Sequence, residues 1–323
     1  MAFVFSSFYV HLLQNVGISC MTTTSLHVLR EEFRLKKFDL SGVDEERFYT
    51  FQWRVPPIVY LIYRFVVAGY TFSWLIYTAQ ISSNPPYGWA VYLTNWSYTV
   101  LTVYLFLHLI ITIVHYCLSW RRGVTLFHKT DSEQHQKYFR EDNNLQRSAS
   151  SENITENSPD GEIQVVVPKL PFYVKIVWLL FAVISPAALM VTIMFWSAIY
   201  PSLNHANPIG IDNMQLHVLN SVIIVIEHAV TALPFRLLHF IYPFIYGLIY
   251  ITFSAIFWSG DHHRVIYNIV NWNKPGMTVG FVLLIGFVVI PILCLIFFLI
   301  SRLKLCIYRK ISSQKQKRFF FSY

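Results

Sequence analysis

The chain has 323 residues, of which 55% are hydrophobic and 13% charged, with a formal net charge of +8. A charged fraction far below the roughly 25% of ordinary soluble domains excludes a soluble globular protein. The basic excess lies in the flanks of apolar stretches, where anionic lipid head groups attract it, so nucleic acid is not expected as a partner.

In chain order, residues 1–53 form a predicted cytoplasmic N-terminal segment. Its first twenty residues are partly apolar but lack a basic n-region and are interrupted by His11, Gln14 and Asn15, so no cleavable signal peptide is expected. Six apolar stretches follow, at about 54–80, 88–118, 170–200, 211–232, 235–258 and 276–301, each near or above the roughly 20 residues that cross a bilayer core. Counting Arg54, the successive flanks carry six, none, seven, none, one, two and seven Lys or Arg. That alternation puts the basic flanks on one side, and the positive-inside rule makes that side the cytoplasm. The predicted fold is therefore all-α: an integral membrane bundle of six transmembrane helices over 54–302, with both termini cytoplasmic. Trp89, Tyr92, Trp96, Trp196, Tyr200, Trp258 and Trp272 fall near the outer boundaries, as an interfacial belt would.

The one long insertion, 120–169, opens on Arg121 and Arg122 and becomes too rich in Ser, Glu, Asp, Asn and Gln to bury a core, so it is expected to be a disordered cytoplasmic loop. The sequon at Asn153 then lies on the wrong side for sugar, and the one at Asn95 lies within a helix. Cys20, Cys117, Cys294 and Cys306 all fall toward the cytoplasmic side, where thiols stay reduced, so no disulfide is predicted. Residues 303–323 read as a basic tail on the inner leaflet.

Polar residues inside the spans carry the functional information, because such groups are costly in hydrocarbon and turn to the bundle interior. At 100° per residue, Asn213, His217, Asn220, Ser221, His228 and Thr231 share one face of the fourth span, with Glu227 at its edge. The second span gives a weaker stripe of Thr94, Tyr98, His108, Thr112 and His115. Arg64 in the first span is a candidate ion-pair partner for Glu227, a pairing that serves helix register more often than chemistry. Arg236 and His239 are expected to snorkel to the inner interface. The His residues are scattered without paired-ligand spacing, so no metal or cofactor is expected.

Thr94 and His217 each lie six residues into their spans, about 9 Å below the outer end. A hydroxyl and an imidazole at matched depth can serve as nucleophile and general base toward an ester carbonyl. They can equally be hydrogen-bonding contacts between neighbouring helices.

The series FRLKKFDLSG, FQW, YLTNWSY, HVLNSVIIVIEH, LPFRLLHFIYPFIYGLIYITF and IYNIVNWNKPG resembles the motifs of the rolling stone family of multi-pass membrane proteins. It departs from them at Glu227 and at Asn271, where Asp is expected. That resemblance implies a membrane component of cell contact or of myoblast-type fusion, in the plasma membrane or an endomembrane. More distantly, the chain is similar to the androgen-induced-protein family of membrane threonine hydrolases. This second likeness implies Thr94, in YLTNW, as nucleophile and His217, ten residues before Glu227, as its base. Membrane lipid, and a fatty acid ester as substrate, are the partners so implied. No protein partner is named by either likeness.

Overall fold

A computed structural model describes residues 32–81, 87–123, 125–128, 170–202 and 210–320. Cys20, the sequon at Asn153 and all but the first residues of the expected disordered loop lie outside them. Five helices are long and apolar enough to cross a membrane: Pro57–Gln80, Leu93–Arg121, Phe172–Ile199, Leu237–Ser259 and Pro275–Ile311. The described residues contain no strand, only isolated bridges at Phe51 with Thr231 and Tyr267 with Val270.

The first two helices are α1, Pro57–Ile81, and α2, Leu93–Arg121. Helix α3 runs Phe172–Met194 and continues through a π-helical turn, Phe195–Ile199. The fourth helix, α4, comprises Ile211–Met214, a π-helical turn Gln215–Leu219, and Asn220–Val230. Helix α5 is Ile241–Ser259, entered through the tight turn Leu237–Phe240. Helix α6 comprises Pro275–Leu284, a π-helical turn Ile285–Val289, and Ile290–Phe320. The last helix therefore runs on without a break through residues 302 and 303.

Two of the wide turns have a cause in the chain. A proline ring clashes with the carbonyl four residues earlier and offers no N–H to it. Pro201 directs that clash at Ser197 and Pro291 directs it at Phe287, and both residues lie within π turns, where the extra residue relieves it. Helix α4 is long enough for about 30 Å of rise. Its interruption by Asp212, Asn213, Gln215, His217, Asn220, Glu227 and His228 is what sets it apart from the five apolar helices.

Helix α3 stands at the centre: 67% of its most apolar stretch is buried, against 22% for α1 and 17% for α5. Trp178, Phe181, Tyr104, Phe48 and Phe297 form the fully buried part of the core. Outside it, Ile62, Phe65 and Val66 of α1 face outward, as a lipid-facing surface requires.

Residues 32–56 form a strap across one end of the helices. Phe48 and Gln52 are fully buried there, and the Tyr116 hydroxyl donates to the Tyr49 carbonyl at 2.6 Å. Arg236 and His239 do not snorkel. Both are buried, with Arg236 donating to the carbonyls of Asp39 and Ser41 at 2.7 and 2.8 Å and lying over the Trp178 ring. The strap closes over them, which periodicity within the spans cannot reveal. Cys306 is disulfide-bonded, which corrects the expectation of four reduced thiols; that expectation rested on compartment alone, whereas pairing depends on which thiols the fold brings together. Cys117 and Cys294 are free.

Candidate functional site

The polar face of α4 divides between two neighbours. Toward α1 and α2 it presents Gln215 and Glu227, both buried. The Glu227 carboxylate accepts from Arg64 Nη1 at 3.0 and 2.8 Å, from the Tyr63 hydroxyl at 2.6 Å and from the Tyr104 hydroxyl at 2.9 Å. Arg64 Nη2 donates to the Tyr60 hydroxyl at 2.7 Å, and His108 links Tyr60, Tyr104 and the Phe48 carbonyl at 3.2, 3.2 and 2.6 Å. Arg64 and Glu227 are both fully buried, so the pair is tenable in hydrocarbon because both carboxylate oxygens are met by donors. Near the other end of α4, Gln215 accepts from the Tyr70 hydroxyl at 2.6 Å and donates to the Tyr98 hydroxyl at 2.9 Å.

Toward α3 the same helix presents His217, Ser221 and His228. The His228 ring shares a hydrogen bond with Ser185 Oγ at 2.8 Å and is stacked between Phe181 and Phe297. Ser221 donates to the Ala188 carbonyl at 3.0 Å and meets the Thr192 hydroxyl at 2.6 Å. His217 lies flat on Phe195, ring centroids 3.6 Å apart, with Nδ1 unpartnered among the described residues. Asn220 is fully buried with both amide atoms unpartnered, and Asn213 is half-buried in the first turn.

The carbonyl end of α4 is clamped by donors from distant parts of the chain. Lys304 Nζ donates to the carbonyls of His228 and Thr231 at 2.8 and 2.6 Å, Trp53 Nε1 to Ala229 at 2.9 Å, the Gln52 N–H to Val230 at 2.8 Å and Arg47 Nε to Ala232 at 3.1 Å. Two basic side chains at the negative end of a helix dipole, together with Trp53 and the Gln52 N–H, thus meet carbonyls that the helix itself leaves without donors.

Thr94 sits elsewhere. It borders a cavity of about 140 Å³ between α3, α5 and α6, closed at one end by the loop between α5 and α6. The Tyr267 hydroxyl accepts from the Leu93 N–H at 3.1 Å, and the side chains of Thr94 and Tyr250 stand beside it. Burial of that hydroxyl raises the Tyr267 pKa to about 12. Met194 lines the cavity while Phe195 carries His217. Consecutive helical residues point about 100° apart, so α3 directs Thr94's cavity and His217's ring contact to different sides. Thr94 and His217 share no hydrogen bond among the described residues, and the group beside Thr94 is the Tyr267 hydroxyl, which the preceding Leu93 N–H meets.

Sequence reasoning placed Arg64 with Glu227 and identified the buried face of α4. It missed Gln215 because the π turn adds a residue to the helical period and brings position 215 round to the interior. Tyr60, Tyr63 and Tyr104 were missed because tyrosine in a span carries the signal of an interfacial belt. Among the described residues, no group of three His, Cys, Asp or Glu side chains is placed to hold a metal ion.

Comparison with known proteins is consistent with the motif series. The family model for protein rolling stone matches residues 169–317, which takes in α3 to α6. Protein rolling stone of Drosophila melanogaster is 27% identical over 108 residues, covering 31% of this chain and 38% of that protein. The match thus spans well under half of that relative. No solved structure matches. These matches support the rolling stone family.

Proposed function

We propose that this rolling-stone-like membrane protein crosses the bilayer six times, with both termini in the cytosol, and acts in cell contact or in fusion of the myoblast type. The family match over 169–317 carries the reading. The six-span topology draws on the alternation of basic flanks and on α4, whose polar side chains from Gln215 to His228 are buried against the other helices instead of facing outward. The three domains of the reading are the N-terminal segment 1–53, the spans within 54–302 with the cytosolic loop 120–169, and the tail 303–323. The disulfide at Cys306 is the observation that weighs against a cytosolic C-terminal end.

Two experiments test this. Epitope tags at both termini are expected to stain only after permeabilisation of the plasma membrane; staining of intact cells would overturn the orientation. Depleting the protein from cells that fuse or form stable contacts is expected to lower the multinucleate or adherent fraction, with rescue by wild type. Unchanged contact and fusion after verified depletion would remove the cellular role. The geometry does not favour a hydrolase built on Thr94 and His217, since His217 is stacked on Phe195 and shares no hydrogen bond with Thr94 among the described residues.

A further inference from the structure

The cavity beside Thr94 has the composition and position of a hydrocarbon site. Its lining is almost wholly apolar, drawn from Met190 and Met194 of α3, Phe244 and Gly247 of α5, and Gly286 and Ile290 of α6. The tyrosine hydroxyls at its loop end already have partners: Tyr250 donates to the Val91 carbonyl at 2.9 Å, and Tyr267 holds the Leu93 N–H. The other lining side chains are apolar except that of Thr94, so little in the walls favours water or a polar head group. An apolar cavity of about 150 Å³ stays dry and takes up apolar molecules, so a space of this size favours a hydrocarbon occupant.

The same walls give a route in. Leu248, Leu283 and Phe287 line the cavity and are 44, 51 and 49% exposed, so it opens sideways between α5 and α6. Those helices cross the membrane in this reading, and the medium at such an opening is lipid tails. Lining residues on α6 run from Phe281 to Ile290, roughly 13 Å of rise along the helix axis. The space is thus extended in the direction in which acyl chains lie.

The glycines keep it open. A Cβ on Gly286 would stand 2.9 Å from the Phe244 ring, whereas one on Gly247 would meet only Ile290 Cδ1 at 3.9 Å. Position 247 thus has room for a larger side chain, which would occupy the cavity.

We propose that this cavity holds a segment of one acyl chain of a membrane phospholipid, admitted laterally between α5 and α6 with its tail toward Gly286 and Ile290. The site goes beyond the cell-contact reading and does not depend on it.

The test uses the full chain in vesicles of phosphatidylcholine bearing a diazirine in mid-chain, photolysed and mapped by peptide mass spectrometry. Adducts are expected on 190–194 and 281–290 in excess over the outward-facing residues Ile62 and Phe65. Gly247→Leu is expected to lower the cavity adducts about tenfold, with those on α1 unchanged. Met194→Phe narrows the same space from α3 and replaces Gly247→Leu should that variant fail to fold. Equal adduct density on α1 and on the cavity walls, or a cavity signal unmoved in whichever variant folds, would overturn the proposal.

Discussion

The two ends of α4 obey different rules. At Glu227 and the carbonyl end, each carboxylate oxygen and each terminal carbonyl from His228 to Ala232 except that of Val230 meets a side-chain donor, and Val230 meets a backbone one. Toward the π turn, His217 leaves Nδ1 and Asn220 leaves its whole amide without a partner among the described residues. The contrast teaches that buried polarity in a membrane bundle is of two kinds. One kind locks helices in register; the other leaves a buried polar group without a fixed partner.

The comparison is broken most forcefully at the locked end. Glu227→Ala leaves Arg64 buried without its counter-charge, and a loss of about 3–5 kcal/mol in folding stability is expected, read as a collapse of monodisperse protein in detergent. Arg64→Met combined with Glu227→Leu is expected to recover much of that loss, since removing both groups leaves no uncompensated charge, only the hydroxyls of Tyr60, Tyr63 and Tyr104 to find new partners. Recovery absent in the double variant would mean that the tyrosines, not the ion pair, carry the register.

Lys304→Met comes next. It removes both donors from the carbonyls of His228 and Thr231, and a loss of about 1–3 kcal/mol is expected by thermal unfolding in micelles. At the looser end the sign changes. Asn220→Leu removes a fully buried amide that makes no hydrogen bond among the described residues, so stability is expected to stay level or to rise by about 1 kcal/mol. A clear loss there would mean that the amide is used by a ligand, and the contrast between the two ends would need redrawing.

The smallest effect concerns the strap. Burial, with the neighbouring charges of Asp44 and Glu45, raises the Glu46 carboxyl to about 7 from an ordinary 4.5. The folded state then holds a proton that the unfolded chain has released, so stability is greatest below pH 4.5 and falls as pH rises toward 7. Glu46→Gln is expected to flatten that slope, measured by unfolding midpoints across the interval. The side chain is 39% exposed, so the change is modest.

What was legible follows from physical cause. Long apolar runs declare themselves, and an arginine and a glutamate inside them stand out because hydrocarbon tolerates few such residues, so Arg64 with Glu227 was within reach. Thr94 could be singled out by motif, but its true neighbour, Tyr267, lies in a loop with no periodicity to mark it. The phase of Gln215 was hidden by a π turn without a proline to announce it. The role of Arg47, Gln52 and Trp53 was hidden because a strap of irregular backbone has no repeat.

The arrangement around Arg47, Gln52, Trp53 and Lys304 has a practical corollary. Residues before the first helix and beyond the middle of the last one cap the same stub, so trimming the chain to its apolar core would strand main-chain oxygens in an oily setting. A shortened version starting at Pro57 would be expected to expose the underside of α4, and tags are better attached ahead of Glu32 than inserted between that residue and the first helix.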